Sequence, residues 1–429
     1  MSADAHSSLA VRLHRLFPKE DVSYLLASLL LQLILGLWLG HVYDQRIFMA
    51  TGYLVATRQN PYIPQDLTAI FNHTAFQGMT SIGYPPLWPL ILGFIYQLSY
   101  APIHNLLIYN LAIKLPVIIA NLSLAYLVRD ILNKLGQNRA VSRKAWFFLL
   151  FNPFVLYFTI AWGQFDSLVA LLTLASLVLL DKQKIAISAI LLAIAIALKP
   201  TPIPVVLVAL VYLWEPPWHR LFRFLASFAI SMFTFCILPF IIMNWDASPI
   251  LLHWNAHFTV SGGMSFMTFY ELVKDTYLLP GMWWLLGFAW LPAILLGMLL
   301  IKTGSRDFIT LLKQSLALIL IFFLTRTWTS EQNLMLILPM VLILTYLGGL
   351  PKICLTATWV LPLIFTFFNT SPPQLLFPVL PELMENLLRR MDVYRSGRLA
   401  ARMIVVIPWQ IIGWWMVVRC LRKTKSIPG

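Results

Sequence analysis

The chain has 429 residues, 59% of them hydrophobic and only 11% charged, with a mean hydropathy of +0.78. A water-soluble domain carries about 25% charged residues, so the whole of 1–429 reads as a single integral membrane domain. The net charge of +14, from 31 basic and 17 acidic residues, fits basic cytoplasmic loops that orient a multi-pass protein and argues against a nucleic-acid partner.

In chain order, residues 1–21 are polar and carry Arg12, Arg15 and Lys19. The apolar run 22–40 follows without a small-residue cleavage site, which reads as a retained signal-anchor with its N-terminus inside. A span takes roughly 17–25 apolar residues. Further spans are expected over 104–128, 145–160, 166–180, 221–243, 282–301, 308–324, 334–349, 352–369 and 403–418. The stretch 185–214 is broken by Lys199-Pro200-Thr201-Pro202. Proline ends or kinks a helix, so two short spans meet there, at the outer face.

The result is an all-α polytopic protein with about twelve crossings, no fixed-period repeat and no correspondence between its halves. Cys236, Cys354 and Cys420 are too scattered for a disulfide framework or a metal cluster. One further apolar segment, 84–100, begins with Pro85, Pro86 and Pro89. That leaves about ten uninterrupted residues, short for a crossing. Counting it as one would also turn the five cations between 129 and 144 outwards. It is therefore read as an interfacial or re-entrant helix.

Basic residues then sort the loops. The outer loops are 41–103, 161–165, 244–281, 325–333 and 370–402. Polar side chains capable of chemistry collect in them: Asp44, Asp66 and His73 in the first, Gln164 and Asp166 around the second, and Arg326 and Glu331 in 325–333. The loop 244–281 adds Asp246, His253, His257, Glu271 and Asp275, and Lys199 sits at the proline break.

Each has a bland reading beside a functional one. Asp44, at the mouth of the first span, is costly there unless solvated, paired or used. It either caps a helix over 45–57 or acts on substrate, and the two are compatible because a capping acid is fixed in direction. Asp166 either caps the span 166–180 or joins Gln164 in a polar wall for sugar hydroxyls, with Trp162 stacking on a sugar face. Lys199 and Arg326 either snorkel to headgroups or capture a lipid phosphate. Thr329-Ser330-Glu331-Gln332-Asn333 places five polar side chains at a span entrance that does not need them. His253 and His257 share a helical face, but His-Trp-Asn-Ala-His lacks the context of a zinc site. Gly-rich phosphate loops, G-x-S-x-G and C-x-x-C are all missing from the sequence, which argues against nucleotide-sugar chemistry.

Several short motifs fall in a telling order. Tyr43-Asp44 is followed by Ala50, Gly52-Tyr53 and Asn60-Pro61-Tyr62, then by Tyr84-Pro85-Pro86-Leu87. Phe151-Asn152-Pro153 precedes Gly163-Gln164-Phe165-Asp166-Ser167, Lys199 is followed by its prolines, and Ser330-Glu331-Gln332-Asn333 precedes a Leu-Pro span. Over roughly residues 20–345 this order resembles the GT-C superfamily of polyprenol-phosphate-sugar-dependent glycosyltransferases. The nearest resemblance is to the first mannosyltransferases of GPI-anchor assembly and to related bacterial and archaeal membrane mannosyltransferases.

The resemblance implies Asp44 as the catalytic acid-bearing position on the extracytoplasmic side. It also implies that Tyr43, Tyr84, Trp162, Gln164, Asp166, Lys199, Arg326, Glu331 and Gln332 line the substrates. The family often carries two acids in its first-loop motif, whereas Val42 and Arg46 flank Asp44 here. A divalent metal is compatible with such a site but not required, and no cofactor is expected.

The expected reaction is inverting transfer of a hexose, mannose by resemblance, from a polyprenyl-phosphate donor to a lipid-linked or glycan acceptor. Asp44 would serve as general base, and Lys199 or Arg326 would balance the phosphate. The expected setting is a prokaryotic plasma membrane in preference to the endoplasmic reticulum. The alternative is a transporter or flippase of lipid-linked sugars, for which only Lys114 is an ionisable candidate near mid-span.

Overall fold

The structure is a computed structural model that describes residues 19–78, 81–257, 262–273, 287–301, 307–370, 372–380 and 395–422. Arg12, Arg15, Asp275, Lys302, Arg306 and parts of the loops 244–281 and 370–402 lie outside the described residues, as do the side chains of His257 and Glu271.

The principal helices are α1 (Lys19–Trp38), α2 (Asp44–Ala56), α3 (Leu87–Leu98), α4 (Leu106–Lys134), α5 (Arg139–Phe151), α6 (Asp166–Asp181), α7 (Ile185–Leu198) and α8 (Ile203–Leu213). They continue with α9 (His219–Met232), α10 (Ser248–His257), α11 (Trp290–Leu300), α12 (Phe308–Thr325), α13 (Leu338–Tyr346), α14 (Lys352–Asn369) and α15 (Arg395–Leu421). Starts are set locally. The side chain of Asn105 accepts from Leu107 N and Ile108 N, Asn138 from Val141 N and Asp307 from Thr310 N.

The expected spans appear as helical segments where they are described, the one over 282–301 only as Trp290–Leu300, and among the described residues seven helical stretches are individually long and apolar enough to cross a membrane. The others are shorter. α7 and α8 part at Lys199-Pro200-Thr201-Pro202 as expected, with Lys199 in extended backbone. α9 runs on through a π-helical turn, Phe233–Ile237, to Met243.

α12 and α13 lie deep in the core, with Leu316, Leu318 and Leu320 of α12 and Leu338, Met340, Val341 and Leu342 of α13 fully buried. The long α9 segment is hydrophobic yet mostly exposed, with Ile230 and Ile242 turned outwards. An apolar surface of this kind is what faces lipid tails. α3 packs along α2 between the first two long apolar helices of the chain. Among the described residues the only strands are Gly262–Gly263 and Trp328–Thr329, paired in parallel.

At the end of α1, Asn110 Nδ2 donates to the carbonyls of Gly36, Leu37 and Leu39, and Lys114 Nζ to those of Gly36 and Leu39. These are the carbonyls a helix terminus leaves without partners, and a cation suits the negative end of the helix dipole. Lys114 is thus engaged in holding α1.

Candidate functional site

The chain leaves α1 through Leu39-Gly40-His41 and is stitched to two distant segments. Gly40 N donates to Leu375 O at 2.6 Å, His41 N to Trp162 O at 3.1 Å, and Val42 N to Gln374 O at 3.1 Å. α2 then begins at Asp44 itself. Tyr43 occupies the capping position and makes no side-chain cap, and Asp44 is the first helical residue, so its carboxylate is not used as a helix cap. It turns instead to His41, whose Nδ1 lies 3.2 Å from Oδ2, and to Trp162, whose indole Nε1 donates to the same oxygen.

The carboxylate is 21% exposed. Burial pushes its pKa up, but the hydrogen bond and charge of His41 and the contacts of Trp162 and Gln164 outweigh it, leaving Asp44 below the usual carboxylate range. Asp44 is therefore ionised at neutral pH. Tyr43, beside it, is exposed.

Trp162 departs from its sequence reading as a sugar platform. Its ring stacks on His41, with centroids 4.0 Å apart and planes at 19°, and it is almost fully buried. A covered face cannot take a sugar ring, so Trp162 holds the acid. The following Gly163 has φ +98°, and a Cβ there would lie 2.4 Å from Gln45 Oε1. Only glycine makes this turn without displacing the Gln45 side chain.

Beyond the turn, Tyr84 Oη donates to Gln164 Oε1 at 3.5 Å, and the Tyr84 ring meets Phe165 edge-on at 4.9 Å. Burial, together with the charges of Asp44 and Asp166, holds the phenol well above its usual pKa, so it remains a donor. Two other segments fix its position. Tyr62 Oη donates to Tyr84 O at 3.1 Å, Trp254 Nε1 donates to the neighbouring Gly83 O at 2.9 Å, and His253 packs against Gly83. Asp66, His73 and Asp246, by contrast, accept from local amides within their own turns.

Asp166 opens α6 but, like Asp44, makes no side-chain cap. Its two oxygens accept from Lys199 Nζ at 2.8 and 2.9 Å, and the pair is buried. The Lys199 ammonium lies 5.6 Å from the Tyr84 ring centroid and 5.8 Å from that of Phe165. Its charge is matched, so it is neither snorkelling nor free for a phosphate. Asp44, Trp162, Gln164, Tyr84, Asp166 and Lys199 thus form one continuous seam drawn from four separate segments.

Glu331 lies in a second polar cluster. It is buried and accepts from Asn369 Nδ2 at 2.9 Å and Thr366 Oγ1 at 3.4 Å, while Arg402 Nη1 donates to Asn369 Oδ1 at 2.9 Å. On the seam side, the Tyr157 ring centroid is 6.2 Å from that of Trp162. Gln332 is buried beside Glu331 with Oε1 unpartnered among the described residues. The guanidinium of Arg326 stands over Phe322 at 4.8 Å, and among the described residues it faces no carboxylate within ion-pair distance. Burial pushes its pKa down to about 10, which still leaves it cationic at neutral pH.

Sequence reasoning missed His41, Gln45, Asn369 and Arg402. The H-x-x-D spacing of His41 and Asp44 was the available signal for the first, since residues three apart share a helical face. Gln45 is fully buried with both side-chain polar atoms unpartnered among the described residues, and only packing reveals it. Among the described residues no three His, Cys, Asp or Glu side chains converge as metal ligands would.

Residues 44–216 match the family model for the alpha-(1->6)-mannopyranosyltransferase N-terminal domain. No curated protein matches the chain. The matched segment opens at Asp44 and contains every member of the seam. Over that segment, about two-fifths of its length, the chain is similar to alpha-(1->6)-mannopyranosyltransferases, and its long apolar helices are those of a membrane protein.

Proposed function

We propose that the protein moves a mannosyl residue from a polyprenyl-phosphate mannose to an acceptor hydroxyl at the extracytoplasmic surface, with inversion at C1. Asp44 takes the proton of the acceptor hydroxyl as the acceptor oxygen bonds to C1. The bond from C1 to the phosphate oxygen breaks, and its electron pair leaves on the phosphate. The lipid phosphate is a competent leaving group, so no second carboxyl is needed as an acid, and the scheme calls on no cofactor.

Lys199 is neutralised by Asp166, so Arg326 is the cation that balances the phosphate. Lys199 and Asp166 hold the wall formed by Tyr84 and Gln164, whose phenol and amide bond sugar hydroxyls. Tyr43, Glu331 and Gln332 border the acceptor side.

The observation that carries this reading is the ionised, partly open Asp44 carboxylate held by His41 and Trp162 and not used as a helix cap. Sidedness has its own support. Asp21, near the start of α1, pairs with Arg129 and Arg143 of the basic loop region, whereas Asp44 follows the other end of α1. Basic loops remain in the cytoplasm. The flippase reading asks for an ionisable group able to act at mid-bilayer, and Lys114 is occupied with the carbonyls of α1.

The test is transfer of radiolabelled mannose from polyprenyl-phosphate mannose to membrane lipids by the purified protein and by Asp44→Asn. Transfer by the wild type, lost at least 100-fold in a folded variant, is expected for a general base, whose contribution is about 10²–10⁴-fold. Equal transfer by both removes Asp44 from the mechanism.

A further inference from the structure

A cleft of about 680 Å³ opens at the end of the bundle away from Asp44. Its walls are aromatic, with Tyr24 of α1, Phe147 and Phe151 of α5 and Trp359 of α14. Tyr24 and Asp44 lie near opposite ends of α1, which at about 1.5 Å per residue puts them roughly 20–30 Å apart. The cleft is no extension of the acid site.

Arg143 and Lys144 line the same cleft, on the first turns of α5. Asp21 receives Arg129 Nη2 at 2.9 Å and Arg143 Nε at 2.7 Å. One carboxylate therefore faces two guanidiniums, and the exposed Lys144 adds a further positive charge. Asn152 also lines the cleft, a further two turns along the chain from Lys144. Its Oδ1 accepts from Phe154 N and Val155 N, and its Nδ2 is buried and unpartnered among the described residues. A cationic rim, an aromatic wall and an unused amide donor together suit one amphiphile with an anionic head.

We infer that this cleft binds an anionic phospholipid from the leaflet on the basic side of the membrane. The headgroup phosphate rests against Lys144 and Arg143, where planar guanidinium and ammonium donors complement phosphate oxygens. An acyl chain runs along Phe147, Phe151 and Trp359, and Asn152 Nδ2 donates to an ester carbonyl. Basic pockets between membrane helices on the cytoplasmic side bind acidic headgroups by the same balance of charge and burial. The inference is independent of the chemistry proposed for Asp44.

Native mass spectrometry of the purified full-length protein tests it, with phosphatidylglycerol and phosphatidylcholine of matched acyl chains as probes. The wild type is expected to retain phosphatidylglycerol in preference. Lys144→Ala should reduce that preference about five-fold, the weight of one surface cation at an anionic headgroup. Trp359→Ala should lower retention of both lipids, and unchanged melting temperatures confirm that the variants remain folded. Equal retention of the two lipids by the wild type, or an unaltered preference in folded Lys144→Ala, overturns the inference. A dimer that excludes lipid from the cleft overturns it as well.

Discussion

The indole of Trp162 donates to the carboxylate of Asp44 across 118 residues of sequence. The same carboxylate oxygen is 3.2 Å from His41 Nδ1, and His41 in turn stacks on Trp162. The acid is thus held by two rings that also hold each other, and its direction is set before any substrate arrives. Preorganisation of this kind lets a carboxylate take a proton without first reorienting.

Trp162→Phe keeps the ring over His41 and removes the N–H. A hydrogen bond to a charged group is worth about 1.5–3 kcal/mol, so transfer should fall about ten- to hundredfold while the protein stays folded. Steady-state kinetics of mannosyl transfer, with melting temperature as the control, measures both.

The pH profile follows from the lowered pKa of Asp44, whose ordinary value is 3.8. Its folded pKa lies below the unfolded one, so the stability it contributes is complete above the unfolded value. That stability is lost as pH falls through the folded value. Transfer should therefore be insensitive to this group through neutral pH and decline only in acid, below the usual carboxylate range. His41→Asn removes the charge and ring that lower the pKa, and the acid limb should move upward. A limb that stays in place in His41→Asn would show that His41 does not tune Asp44.

The buried Lys199–Asp166 pair predicts a characteristic pattern of stability. Removing one partner from such a pair costs about 3–5 kcal/mol, because the other charge is stranded. Lys199→Met and Asp166→Leu should each lower the melting temperature strongly, and the double variant should recover much of the loss. Thermal unfolding in detergent, read as a double-mutant cycle, tests the coupling.

Arg326 carries the opposite expectation, because no carboxylate faces it among the described residues. Arg326→Gln should cost less stability than either Lys199→Met or Asp166→Leu alone, because it strands no paired carboxylate. Transfer should fall by at least tenfold, and Arg326→Lys should retain part of it, since an ammonium keeps the charge without the fork. Transfer rates of the two variants against donor concentration separate binding from chemistry.

The broad architecture was legible in the sequence because its causes are local. Apolar run length sets where helices cross, and Pro200 and Pro202 set the break at Lys199 whatever lies nearby. The positions of Asp44, Gln164, Asp166, Arg326 and Glu331 between or at the ends of helices follow from the same runs. Side-chain partners were not legible. Asp44 and Asp166 both stand at helix starts, where capping is the local expectation, yet both turn to groups brought in from elsewhere.

That choice belongs to packing. In a low-dielectric interior a carboxylate goes to the strongest available donor or cation, and which one is available depends on helices meeting across the bundle. Trp162 was placed near substrate by the sequence and behind the acid by the fold, because His41 already covers its face. Glu331 likewise found Asn369 and Arg402 on the two C-terminal helices, a cluster with no local spacing to announce it. Composition, run length and proline determined the helices and the order of polar residues along the chain. Only tertiary contact decided which side chains hold the acid and which remain open to a ligand.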